Sequence, residues 1–418
     1  MVASSSPTAR SVRWGVVLLL GLLPLLTACQ DESLLTPEVT DARFQRYVAL
    51  GNSITAGFQS GGISSETQSE SYAVLLGEQM NTPFSVPRLK EPGCPPPFVN
   101  FFGENGIPDP QRPDEAPACA LRTQKIPLRL NNVAVPGARV VDILSNQTSS
   151  ANALTQLILG GRTQIEAALE ITPTFATVWI GNNNVLGAAR RGTDNATPVS
   201  DFEQRYGNVV DSLTTSPDFQ GGVLIGVVDV VFAPFFSPGP AYLGLDQAGR
   251  FPPNFNVASN CGARDPAPRV PIDYGFGLIG QAVQNPEQTV TLNCEAQGKP
   301  VLTQDEVSTL GETVQQYNSF IQEQAQNHGL AYLNPNQVLG ALYTNDDGDQ
   351  DPTNDLIPKF PNQTSDQPFG RFFSLDGIHP SAVTHRLVAA QLVQVINEQY
   401  GTSLAPPENV PSLPTGSQ

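Results

Sequence analysis

Histidine is scarce in this chain: only His328, His379 and His385 occur among 418 residues. Any chemistry that needs an imidazole is therefore confined to three positions. With so few histidines and no C-x-x-C pair among the five cysteines, no spacing argues for zinc, and no feature calls for a cofactor. Positive charge is thin as well. Lys and Arg number 22 against 39 Asp and Glu, a formal net charge of −17, so nucleic acid and anionic membrane surfaces are poor partners. Long hydrophobic runs are missing too. The longest, Trp14 to Leu26, is too short to span a bilayer.

That run lies between basic Arg10 and Arg13 and the small residues Thr27 and Ala28, the layout of a secretory signal over residues 1–28. Leu26-Thr27-Ala28-Cys29 resembles a bacterial lipobox. The resemblance implies lipidation of Cys29 and a tether over residues 29–43. The chain would then be exported and membrane-bound through its lipid, at the outer membrane or cell surface. Setting Cys29 aside leaves Cys94, Cys119, Cys261 and Cys294, an even set that suits disulfides in an exported protein. Three connectivities are open. The local one, Cys94 with Cys119 and Cys261 with Cys294, would brace one Pro-rich stretch each.

Glycine and proline number 36 and 38, which points to many ordered loops, while aromatic and β-branched residues are too plentiful for wholesale disorder. Short apolar runs read as buried strands: Tyr47 to Leu50, Phe175 to Ile180, Val223 to Val230 and Leu330 to Leu333. Helical patterns alternate with them at Tyr72 to Met80, Val140 to Leu144, Ala153 to Leu169 and Ser381 to Tyr400. Two more helices open on capping boxes, Ser200-Asp201-Phe202-Glu203 and Thr303-Gln304-Asp305-Glu306, the second running to about His328. Strand and helix in alternation predict an α/β fold with a parallel, doubly wound sheet. One domain is expected over 44–403, with insertions at 81–129, 232–299 and 343–372, followed by a disordered tail over 404–418.

The first strand ends in Gly51-Asn52-Ser53, which sets Ser53 at the carboxyl edge where open α/β sheets hold their ligands. Ser53 can be a nucleophile there or a cap for the next helix. Among the histidines, His328 sits near the end of a polar helix and His385 inside the terminal one. His379 stands in a turn, Leu375-Asp376-Gly377-Ile378-His379-Pro380, with a carboxylate three residues upstream. Acyl transfer by a serine needs a base for the hydroxyl proton and a partner that fixes the base's tautomer. Ser53, His379 and Asp376 supply those three roles. An oxyanion needs preorganised donors, and two turns offer them: Gly137 through its backbone, and Gly181-Asn182-Asn183-Asn184 through a side-chain amide. Taken singly, Gly137 and Asn183 also read as ordinary turn residues.

Together these blocks resemble the SGNH or GDSL hydrolases. Ser53 matches the serine of the family's first block, Gly137 in Asn132-x-Ala134-x-x-Gly137 the glycine of the second, and Asn183 the asparagine of GxND. Asp376 and His379 match the terminal DxxH. The resemblance implies a flavodoxin-like three-layer α/β/α sandwich. Ser53, Asp376 and His379 would be catalytic, and the Ser53 N–H, the Gly137 N–H and the Asn183 amide would form the oxyanion hole. Asn52 and Asn184 depart from the family's usual aspartates, and Thr384 stands where the family often has glycine. The G-x-S-x-G elbow of the α/β-hydrolase fold is absent, because Thr55 occupies its last position.

The expected function is a serine esterase or lipase acting on a small-molecule or lipid ester. Alternatives are a carbohydrate O-acetylesterase and a surface binding or adhesion lipoprotein that keeps the fold without turnover. The acidic run Asn345 to Asp355 could hold Ca²⁺, but it lacks the glycine and distant glutamate of an EF-hand loop, and a solvated loop is the favoured reading. The second insertion carries Phe232, Phe235, Phe236, Tyr242, Phe251 and Phe255, which either pack a small core of their own or wall the catalytic cleft.

Overall fold

A computed structural model of the chain describes residues 39–104, 106–113, 129–146, 153–191, 195–296, 298–344 and 356–413. The leader, Cys29, Cys119, the acidic run 345–355 and the last residues of the tail lie outside the described residues. Four strands, Tyr47–Gly51, Phe175–Trp179, Gly221–Ile225 and Ala331–Leu333, form the central sheet in that spatial order, every pair parallel. An extended stretch, 131–135, runs along the outer side of the first strand. There the Ala49 N–H donates to Asn131 O at 2.8 Å and the Val133 N–H to Ala49 O at 3.0 Å. Counting that stretch, the strand order becomes 2-1-3-4-5, which is the flavodoxin-like order. The direction of winding reverses between the first and third of these. The crevice at their carboxyl ends is where such a sheet takes a ligand.

The first three of these strands are buried on both faces, which explains why they read as apolar runs and not as alternations. Side chains still alternate between layers. Tyr47, Ala49, Phe175, Trp179, Val223 and Ile225 pack with Tyr72, Leu76, Leu392 and Ile396, from the helices Tyr72–Gln79 and Ala382–Tyr400. Val48, Leu50, Val178 and Leu224 face the other way, onto Ile165, Phe202, Val209, Val314 and Tyr317 from Gln164–Leu169, Val199–Thr214 and Gln304–Asn327. The result is the three-layer sandwich.

Several local expectations are corrected. Helix Val199–Thr214 begins before Ser200, behind Pro198 and without a side-chain cap, so the Ser200 capping box is not used. Ala153 to Leu169 is two helices, Ala153–Leu159 and Gln164–Leu169, because Gly160 and Gly161 take φ of +66° and +93° between them. The third strand stops at Ile225 and not at Val230. Asn318 reaches in from the Gln304–Asn327 helix, accepts from the Val227 N–H at 2.6 Å and donates to Val227 O at 2.9 Å, taking the place of a strand neighbour. The tail is ordered through residue 413, not disordered from 404. Asn397 bonds both backbone groups of Leu404, which is buried, and Val410 and Leu413 rest on the core.

The insertions have structure of their own. The first contains a hairpin, Asn100–Phe102 with Pro108–Gln111, and the second contains the helices Gly239–Gln247 and Ile272–Gln284. Cys261 and Cys294 are bonded to each other there, and Cys94 in the first insertion is also disulfide-bonded.

Candidate active site

Ser53 is presented by a turn that leaves little room for other residues. A Cβ on Gly51 would lie 2.3 Å from Thr55 Oγ1 and 2.6 Å from Trp179 O, so the strand can end this close to its neighbour only as glycine. Asn52, and not Ser53, caps the short helix Ser53–Ala56, its Oδ1 accepting the Ile54 N–H at 3.0 Å. Ser53 is thereby the first helical residue, with its hydroxyl free for other work and its N–H outside the intrahelical ladder. Gln164 clasps the end of the strand from below. Its Oε1 accepts the Gly51 N–H and its Nε2 donates to Gly51 O, both at 2.9 Å and both buried.

The imidazole arrives from the opposite end of the chain. His379 Nε2 lies 3.0 Å from Ser53 Oγ, and His379 Nδ1 lies 2.8 Å from Asp376 Oδ2. Asp376 is satisfied on every side: Oδ1 accepts from the N–H groups of Ile378 and His379 at 2.9 and 2.8 Å, and Oδ2 also accepts from the Gly61 N–H at 2.6 Å. Burial by itself would raise its pKa, but the neighbouring His379 and these hydrogen bonds outweigh burial and hold it at about 2. Loop 59–62 is pinned to the same turn, since the Ser60 N–H donates to Ser374 Oγ and the Leu375 N–H to Ser60 Oγ.

Gly137 sits in an exposed turn at φ +82°. Asn183 Nδ2 donates to Ala138 O at 2.9 Å, so one amide hydrogen ties the GNNN segment to the Gly137 turn and leaves the second for another acceptor. The structure brings Ser53, Asn182, Asn183 and His379 to the rim of one cavity at the switch point of the sheet.

The family model for GDSL-like lipases/acylhydrolases matches residues 47–392. The chain belongs to this family. No curated protein matches it in sequence. Among solved structures it is similar to a catalytic mutant of an acetylxylan esterase from Geobacillus stearothermophilus, at 11% identity and a TM-score of 0.37, over 86% of this chain and 96% of that one. It is also similar to an extracellular lipase from Streptomyces rimosus, at 13% identity and a TM-score of 0.35, over 84% and 98%. A third likeness is to phospholipase A1 from Streptomyces albidoflavus, at 14% identity and a TM-score of 0.33, over 84% and 98%.

The departures from the GDSL pattern have structural readings. Asn52 performs the capping with its Oδ1, while its Nδ2 is buried without a partner among the described residues. Asn184 uses both ends of its amide. Oδ1 accepts the Val140 N–H at 3.1 Å and Nδ2 donates to Thr197 Oγ1 at 2.9 Å, a pairing in which an ionised aspartate could not donate. Thr384 Oγ1 donates to Phe372 O at 2.6 Å and so fastens the terminal helix to the segment before the Asp376 turn.

The other histidines are placed elsewhere. His328 caps its helix 3.9 Å from Asp211. His385 is fully buried, its Nδ1 accepting the Tyr72 N–H, and burial pushes its pKa down to about 3. It is therefore neutral at ordinary pH.

Two cavities meet at Ile378 and His379. The inner one is a narrow slot of about 100 Å³ beside Ser53, walled by Ile54, Leu186, Val230, Leu333, Val338 and Leu387. Asp229 is the one carboxylate among its described lining residues, and burial raises its pKa. The outer one is wider, about 530 Å³, and includes Asp376 and His379 but not Ser53. Of the six aromatics singled out in the second insertion, Phe235 alone lines either cavity, and Phe276 of the same insertion joins it in the outer one. Phe236, Tyr242 and Phe255 are buried inside the insertion, and Phe232 packs on Tyr343. Gln164, Gly61 and Ser374 support the site without having been singled out from the sequence. Each acts through a backbone contact across the fold, which leaves no local pattern.

Proposed function

We propose that this protein is an exported, lipid-anchored serine esterase of the lipase type, cleaving carboxylic esters through an acyl-enzyme on Ser53. The observation that carries the reading is the hydrogen-bonded chain Ser53–His379–Asp376, at 3.0 and 2.8 Å, opening on an apolar slot. His379 takes the hydroxyl proton as Oγ attacks the ester carbon, and Asp376 keeps the imidazole in the tautomer that can accept it. The Ser53 N–H, the Gly137 N–H and the Asn183 amide receive the charge that develops on the carbonyl oxygen. Return of the proton to the leaving alcohol, then attack by water on the acyl-enzyme, completes the cycle.

The slot favours this over a sugar O-acetylesterase, because an acetyl group would leave most of its apolar wall unfilled. Each further methylene buried there adds up to about 0.8 kcal/mol of binding. With the alcohol held constant, kcat/KM is expected to rise from acetyl through butyryl to octanoyl esters, and Val338→Trp to move the optimum toward acetyl. An optimum at acetyl in the unmodified chain would refute the lipase-type assignment. Labelling of Ser53 by a fluorophosphonate separates an enzyme from a binding protein on the same fold.

Asn183→Ala is expected to lower kcat by about 10² to 10³ with little change in KM, since it removes a donor aimed at the developing oxyanion. Steady-state kinetics on all three single variants of the GNNN run decide the register. A mild Asn183→Ala beside a severe Asn182→Ala would move the donor to Asn182.

The anchor is proposed at Cys29 from the lipobox alone. Cys29→Ser should shift the protein from the membrane to the soluble fraction of the producing cell, and an unchanged distribution would remove the anchor.

A further inference from the structure

We propose that the outer cavity seats the alcohol half of the ester, and that this half is a bulky apolar or aromatic alcohol and not a sugar. The inference rests on ester cleavage at Ser53 and assigns the part of the substrate which that reading leaves open.

The placement follows from proton transfer. When Oγ bonds to the carbonyl carbon and the carbon–oxygen bond to the alcohol breaks, the proton held on His379 passes to the alcohol oxygen. That oxygen must sit within reach of Nε2, on the side of the imidazole away from the acyl chain. His379 lines both cavities, but the inner slot holds Ser53, Asn182 and Asn183 beside it, whereas the outer cavity holds it with Asp376 and without the nucleophile. The outer cavity is also the roomier of the two.

The chemistry of the wall selects the alcohol. Phe58, Phe98, Phe101, Phe235 and Phe276 line the cavity, brought together from the Ser53 loop and two separate insertions. Phe58 packs 4.8 Å from the His379 ring, and Phe102 meets Phe276 at 5.4 Å, which joins the first insertion to the second. The charged lining residues Arg190 and Asp273 lie 3.5 Å apart at the rim, and Arg190 also covers the Phe235 ring at 5.1 Å. The Gly61 N–H is already given to Asp376. A sugar seated here would bury hydroxyls against phenyl rings with few partners, which is unfavourable, while an aromatic or branched apolar alcohol would be desolvated onto them.

Gly277 makes the proposal testable by filling. It lies in the helix Ile272–Gln284 and lines the cavity, and a Cβ there would meet nothing within 4 Å. A large side chain at this position enters the cavity without distorting the fold, and leaving glycine favours the helix. The full chain would be assayed with butyrate esters of three primary alcohols: ethanol, 2-(2-naphthyl)ethanol and galactose esterified at its primary hydroxyl. Keeping all three primary holds leaving-group basicity similar. The naphthylethyl ester is expected to exceed the ethyl ester in kcat/KM by about ten- to a hundredfold, with the galactose ester no better than ethyl. Gly277→Trp should collapse the naphthylethyl-to-ethyl ratio toward one while leaving the ratio of octanoyl to butyryl ethyl esters in place. An unmoved alcohol preference, a shift in acyl preference instead, or a preferred galactose ester would each overturn the assignment. Failure to turn over any ester, with no fluorophosphonate on Ser53, would instead remove the underlying enzymatic reading and this inference with it.

Discussion

Ser53→Ala is expected to lower kcat by about 10⁴-fold or more. The change removes Oγ and nothing that holds the turn. Asn52 still caps the helix, Gln164 still clasps Gly51, and Ser53 is only 8% exposed, so solvent gains little access. Residual turnover would come from binding and oxyanion donors alone. His379→Ala should be comparably damaging, and the double variant should be little worse than either, because the two groups act as a unit. The check is kcat on a butyryl ester together with the thermal midpoint, which should stay within a few degrees of the parent. More than a tenth of parental turnover in Ser53→Ala would take the nucleophile's role away from this residue.

Asp376→Asn should reduce kcat by a similar order, about 10⁴, for a different reason. An amide in this position can turn its Nδ2 toward His379 Nδ1 and stabilise the tautomer whose Nε2 carries the hydrogen, leaving no base facing Ser53. The other orientation sets an amide N–H₂ against the N–H groups of Ile378 and His379, which now donate to Oδ1. Stability should therefore fall as well as rate. The native pKa of about 2 lies below the ordinary 3.8, so ionised Asp376 contributes to stability above about pH 4, and the contribution is lost as pH falls through about 2. No limb of the parental pH–rate profile between pH 4 and 9 should belong to this carboxylate. A variant that keeps parental kcat across that range would show that His379 needs no orienting partner.

The fold was legible where burial imposes a pattern. Phe175–Trp179 and Gly221–Ile225 lie inside a parallel sheet with helices on both faces, so each had to be apolar but for Thr177, whose hydroxyl is paired with Tyr47, and each could be read from that. Stretch 131–135 is joined to the sheet along only one strand, and its partnership with Ala49 became visible only in the folded chain. Val227 reads as strand but bonds to Asn318, 91 residues away, and no local preference encodes that exchange.

By itself the sequence determined which chemistry was possible. Three histidines, one of them in DxxH, and a serine at the end of an apolar run restrict the reacting groups, since side-chain chemistry is set by residue type and short-range spacing. Only the tertiary structure decided their assembly. Ser53 and His379 stand 326 residues apart, and the 3.0 Å between them depends on the strand order that brings two distant ends of the chain to one edge. The same holds for the outer cavity. Phe98 comes from the first insertion and Phe235 and Phe276 from the second, and they form one wall because apolar surface is buried wherever the fold brings it together, whatever the separation along the chain.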